Sequence, residues 1–155
     1  MPREVMRRSA ADNEYLHQDF HGALSTGLQY LQDTYGPDAV IEWLQQIADT
    51  LYAPLKEDLR QRGLAAIKEY LQQLYDDEGG EVKLQLRDGE LLVHVRQCPA
   101  VTHMRENGYR VADMWVETTR TIYSRLTEDT AYSFELLEYD DLTGETRMRF
   151  YGDVG

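Results

Sequence analysis

Apolar residues recur at three- and four-residue steps through Leu16, Phe20, Ala23, Leu24, Gly27, Leu28 and Leu31, which lays one apolar stripe along a helix of about 20 residues. Asp12 or Asn13 can cap its start, and Tyr35-Gly36-Pro37 ends it. Pro37 suits the first turn of a second helix, which carries Val40, Ile41, Leu44, Ile47, Ala48 and Leu51 as far as Pro54. A third helix follows directly with Leu55, Leu59, Leu64, Ile67, Tyr70, Leu71 and Leu74, and Gly63 marks a kink or a break within it.

At Asp76-Asp77-Glu78-Gly79-Gly80 the period drops to two. Val82, Leu84 and Leu86 alternate with Lys83, Gln85 and Arg87, and after Asp88-Gly89 the chain returns through Leu91, Val93 and Val95. This predicts a β-hairpin with one buried face, and it puts His94 in phase with Lys83 and Gln85 on the solvated face. A short helix is expected from Pro99 to about Asn107, closed by Asn107-Gly108, and a longer one from about Val111 to Leu126. A second hairpin follows: Tyr132 to Leu136, a turn from Asp140 to Gly144, then Arg147 to Tyr151. Residues 1–12 lack periodicity and read as a flexible arm; residues 13–155 form a single domain. The expected class is α+β, a helical N-terminal half packed on a four-stranded antiparallel sheet of two hairpins with an inserted helical pair.

Composition narrows the function. The 155 residues are 42% apolar and 28% charged, enough for one core and too few for two full domains. Sixteen Lys and Arg against 28 Asp and Glu leave a net charge of −12, which argues against nucleic acid and against anionic lipid as partners. No apolar run approaches the roughly 20 residues that span a bilayer, and the start offers no apolar stretch for a signal peptide. With one cysteine, Cys98, no internal disulfide can form, and a cytoplasmic, reducing setting is the expectation. A homodimer is the default expectation for assembly.

Cys98 stands at the end of a strand and immediately before Pro99, the first-turn residue of the next helix. As the N-cap its sulfur would meet unpaired backbone N–H groups and the positive end of the helix dipole, both of which favour the thiolate that nucleophilic catalysis needs. The bland alternative is a small buried apolar residue. His103 lies five residues on and, at about 100° per residue, points roughly 140° away, whereas Thr102 shares nearly the same face as Cys98.

Glu14, His17 and His21, separated by three and then four residues, share one flank of the first helix, a spacing that suits a divalent transition metal. Without a second such motif, no metal is the plainer expectation. In the later helix Glu117, Thr118, Arg120 and Tyr123 cluster within two turns. Glu117 and Arg120 can simply pair on the surface; alternatively Glu117 faces a cleft near Cys98, where burial would suit it to proton transfer. No phosphate-cradling glycine loop and no Gly-x-Ser-x-Gly elbow occurs.

Asp19-Phe20-His21-Gly22-Ala23-Leu24, the Tyr35-Gly36 break, Glu78-Gly79-Gly80 before a hairpin, Cys98-Pro99-Ala100 and Glu117-Thr118-Thr119 together resemble the bacterial L-2-amino-thiazoline-4-carboxylic acid hydrolase-like family over about residues 14 to 151. The resemblance implies a small cytosolic α+β hydrolase that opens a cyclic amidine-like ring, with a cysteine as nucleophile. The expected function is therefore a cysteine-dependent hydrolase of a small heterocyclic C–N or C–S substrate, using Cys98 with His21, His103 or Glu117 as proton-transfer groups. Thr102, Arg105, Arg120 and Tyr123 are candidate substrate-binding residues, and a ligand carboxylate would be met locally by Arg96, Arg105 or Arg120. The competing expectation is a small-molecule- or metal-binding sensor module without turnover, with an architecture like that of the 4-vinyl-reductase-like domains.

Overall fold

A computed structural model describes residues 10–152, with side chains from residue 20 onward. Most of the expected N-terminal arm therefore lies outside the described residues. The chain is α+β. Four helices, α1 (Ala10–Tyr35), α2 (Pro37–Leu51), α3 (Ala53–Arg62) and α4 (Leu64–Glu78), precede a hairpin of β1 (Glu81–Arg87) and β2 (Glu90–Gln97). Two helices, α5 (Pro99–Glu106) and α6 (Glu117–Thr127), then lead to a second hairpin of β3 (Tyr132–Tyr139) and β4 (Thr146–Gly152). The sheet is antiparallel throughout in the order β1-β2-β4-β3, so the two hairpins meet along β2 and β4.

Local chemistry explains the breaks. Gly63 takes φ 71° and ψ −153°, a conformation hostile to a side chain, and separates α3 from α4 where a kink or break was expected. Pro54 falls in the first turn of α3, so the second helix stops at Leu51. Asp88 and Gly89 form the two-residue turn between the paired Arg87 and Glu90. At the other hairpin, β3 carries an irregularity between Leu136 and Glu138 that sequence alternation does not reveal.

The core lies between the helices and one face of the sheet. Leu91 opposes Phe150 and Val93 opposes Met148 across β2 and β4, and all four are buried. Against them stand Leu28 of α1, Val40 and Leu44 of α2, Ile67 and Leu71 of α4, and Ile122 and Leu126 of α6. The other face is polar; His94 pairs in register with Lys83 as expected, and its Nε2 lies 2.9 Å from a Glu145 carboxylate oxygen.

One helix begins later than its periodicity predicts. The segment from Val111 is not helical until Glu117, because α1 claims its backbone groups. Ser25 donates its hydroxyl to the Arg110 carbonyl at 2.7 Å and accepts the Ala112 N–H at 2.8 Å. Gln29 accepts the Asp113 N–H at 3.0 Å. Those tertiary bonds replace the helical ones that the stretch would otherwise make.

Candidate functional site

The β2–α5 junction is the centre of the candidate site. Cys98 is the N-cap of α5, with extended backbone (φ −75°, ψ 119°), and Pro99 opens the helix as the spacing predicts. Burial pushes the thiol up; the N–H groups of Val101 and Ala100 pull it toward thiolate, and the charge of Glu78 pushes it up further. The helix N-terminus therefore acts as expected in sign, yet desolvation outweighs it, and neither N–H reaches the geometry of a true capping hydrogen bond. The resting side chain is a neutral thiol, which corrects the expectation of a lowered value.

Glu78, the last residue of α4, is the group that sequence reasoning passed over. Its carboxylate accepts a hydrogen bond from His21 Nε2 at 3.1 Å across 57 residues of sequence, and both side chains are largely buried, 17% and 15% exposed. That bond fixes the proton on Nε2. Among the described residues Nδ1 of His21 is buried with no hydrogen-bond partner, and the ring meets Trp115 edge to face at 6.2 Å. Gly79 in the left-handed conformation ends α4 just beyond Glu78, and Gly80 lets the chain pass close to Pro99. A carboxylate on the final turn opposes the helix dipole, but Asp76 and Asp77 share that turn, so the sequence does not single out Glu78.

A groove of about 660 Å³ opens beside this junction, lined by Glu78, Gly80 and Glu81 on one side and by Arg96, Pro99, Thr102, His103, Glu106 and Thr143 on the other. Thr102 contributes a buried hydroxyl oxygen that has no partner among the described residues. Two tyrosines adjoin the same region: Tyr75 and Tyr139 are both held well above the ordinary phenol value, by burial first and then by the negative charge that Cys98 would carry at the high pH where a phenol ionises.

Other candidates are placed elsewhere. His103 reaches the groove wall but turns along its own helix, with Nδ1 3.3 Å from the Asn107 amide nitrogen and its ring beside Tyr109. Glu117 is buried, and its carboxylate accepts from Arg120 Nε at 2.7 and 2.9 Å, so the pairing with Arg120 holds while its carboxylate is no longer surface-exposed. Tyr123 is a core residue, packed with Phe134 and Phe150 at ring separations of 5.7 and 5.5 Å. Arg105 donates to the Asp141 carbonyl at 2.7 Å. Arg96 stands at the groove with Glu81 3.8 Å away.

The side chains of Glu14 and His17 lie outside the described residues, so of that trio only His21 is placed. Among the described residues no group of three His, Cys, Asp or Glu side chains gathers as metal ligands would. Among them, too, no helix is long and apolar enough to cross a membrane. No family model and no curated protein matches the chain.

Proposed function

We propose that the chain is a cysteine-dependent hydrolase of a small heterocyclic C–N or C–S substrate, bound in the groove beside α5. The observation that supports this reading is that the charge of Glu78, which is hydrogen-bonded to His21 of α1, reaches the thiol of Cys98 at the start of α5. A neutral thiol needs a base to become a nucleophile, and the pair supplies one. In this reading Glu78 holds the Nε2 proton and orients the ring, and the thiol proton passes to Nδ1 of His21 when substrate binding brings the two groups together. Sulfur then bonds to the electrophilic ring carbon, the ring bond to nitrogen or sulfur breaks, and the departing atom takes the proton from His21. Water cleaves the new S–C bond and returns a proton to Cys98, so the net change is the addition of one water. The N–H groups of Ala100 and Val101 stabilise the thiolate while it exists. The order of short motifs, which resembles that of the L-2-amino-thiazoline-4-carboxylic acid hydrolase-like family, supports the same substrate class.

The test is incubation of the purified protein with a panel of cyclic amidines and thiazolines, reading by mass spectrometry the product that is one water heavier. Wild type forms it and the Cys98→Ser variant does not. Full turnover by Cys98→Ser removes the nucleophile from the mechanism.

A second reading, a binding module without turnover, is favoured by the upward push on the thiol and by the unpartnered Thr102 hydroxyl at the groove. It expects saturable binding of a panel member, weakened by Thr102→Val, with no product in either protein.

A further inference from the structure

We infer that Arg105 is a positioning residue for Cys98, acting through the turn between β3 and β4, which forms a hinged cover over the thiol. The inference deepens the reading of Cys98 as nucleophile and rests on it for its role in catalysis. The turn, residues 140–145, touches the cysteine directly. The Cys98 N–H donates to the Thr143 carbonyl at 3.1 Å. Gly144 packs so closely that a β-carbon there would stand 2.4 Å from the Cys98 β-carbon and 3.0 Å from Val101 Cγ2. Thr143 also forms part of the groove wall. Removing the turn would uncover the backbone and β-carbon of Cys98 and one side of the groove.

The turn is a rigid unit held to the rest of the chain by its contacts with Cys98 and Val101 and by few side chains. Its shape is held from inside: Gly144 N–H to the Asp140 carbonyl at 2.7 Å, Asp140 N–H to the Glu145 carbonyl at 2.9 Å, and Leu142 N–H to an Asp140 carboxylate oxygen at 2.8 Å. Yet it sends no apolar side chain into the core, and Leu142 at its tip is 71% exposed. Such a segment can swing as a body at modest cost. Two side chains latch it to the rest of the chain. His94 reaches Glu145 from β2 at 2.9 Å, and Arg105 reaches the Asp141 carbonyl from α5 at 2.7 Å. Arg105 comes from the helix that Cys98 caps, so it ties the cover to the element carrying the nucleophile.

The experiment is alkylation by iodoacetamide, unambiguous because Cys98 is the only cysteine. Arg105→Met keeps much of the aliphatic stem and removes the donors. It alkylates about three- to tenfold faster than wild type at every pH, the factor that the loss of one solvent-exposed hydrogen bond gives an opening equilibrium. Arg105→Lys restores most of the protection, and the far-ultraviolet circular dichroism of both variants matches wild type. Should Arg105→Met fail to fold, Gly144→Ala serves as the second variant, since it pushes the turn off Cys98 with Arg105 intact and also speeds alkylation. An unchanged or slower rate in whichever folded variant is used overturns the proposal. Full turnover by Cys98→Ser would remove the catalytic role while leaving the alkylation result standing, so the two failures are distinct.

Discussion

Replacing Gly80 by alanine tests whether the close approach at the β2–α5 junction positions the site. A β-carbon at Gly80 would lie 2.5 Å from Pro99 Cγ, 3.2 Å from Pro99 Cδ and 3.1 Å from Tyr75 Cδ1. None of these atoms is the free end of a flexible chain: two belong to a pyrrolidine ring fixed at the first turn of α5, and the third to a half-buried aromatic ring. Relief requires Pro99, and Cys98 with it, to move outward by close to an ångström. Overpacking of this kind costs about 1–3 kcal/mol, which lowers the melting temperature of a domain this size by about 3–10 °C. The control is Gly27→Ala. Among the described residues nothing beyond its own stretch of helix lies within 4 Å of a β-carbon there, and the position is inside α1, so alanine stabilises by about 0.5–1 kcal/mol. Urea and thermal unfolding followed by circular dichroism, run on both variants beside wild type, give the two numbers. A Gly80→Ala protein within about 0.5 kcal/mol of wild type would show that the junction yields freely, and the account of a tightly set nucleophile would be wrong.

Two further predictions concern titration and pairing. Because the folded protein holds the Cys98 thiol above its unfolded value, the stabilisation is complete below the unfolded pKa and is lost as pH rises through the folded one; the urea unfolding free energy should therefore fall more in wild type than in Cys98→Ala as pH rises past the ordinary thiol value of about 8.5. An equal fall in both would refute it. His21→Ala should destabilise by about 1–2 kcal/mol, since it strands Glu78 at 15% exposure, and by more than His94→Ala, whose partner Glu145 is 46% exposed and can be hydrated. Equal losses on urea unfolding would contradict the burial argument.

The elements that strict periodicity and backbone-restricting residues define were legible in advance. Alternation through Val82, Leu84, Leu91, Val93 and Val95 placed the first hairpin and its buried face, and Gly63 marked the division of α3 from α4. The stretch before Glu117 was misread as helix for an intelligible reason. Its own pattern is compatible with helix, and the groups that override it, Ser25 and Gln29, sit more than 80 residues away. The site behaved similarly. Cys98 could be placed at a helix start because Pro99 is its immediate neighbour, and Thr102 could be put on its face by helical geometry. Glu78 could not be singled out, because within Asp76-Asp77-Glu78 nothing local distinguishes the carboxylate that folds inward to His21 from the two that face water.

The strand order carries a consequence for how the chain assembles. β4 is the last strand made, yet it occupies an interior position, joining β2 on one side and β3 on the other. Each hairpin can zip on its own within microseconds, but the β2–β4 seam pairs Glu90 with Tyr151 and Leu91 with Phe150 across some 60 residues. During synthesis the apolar row of Leu91, Val93 and Val95 must therefore wait, with an open edge beside it, until the final strand leaves the ribosome. The strands flanking that seam are where a slow folding step and any aggregation of nascent chains would originate.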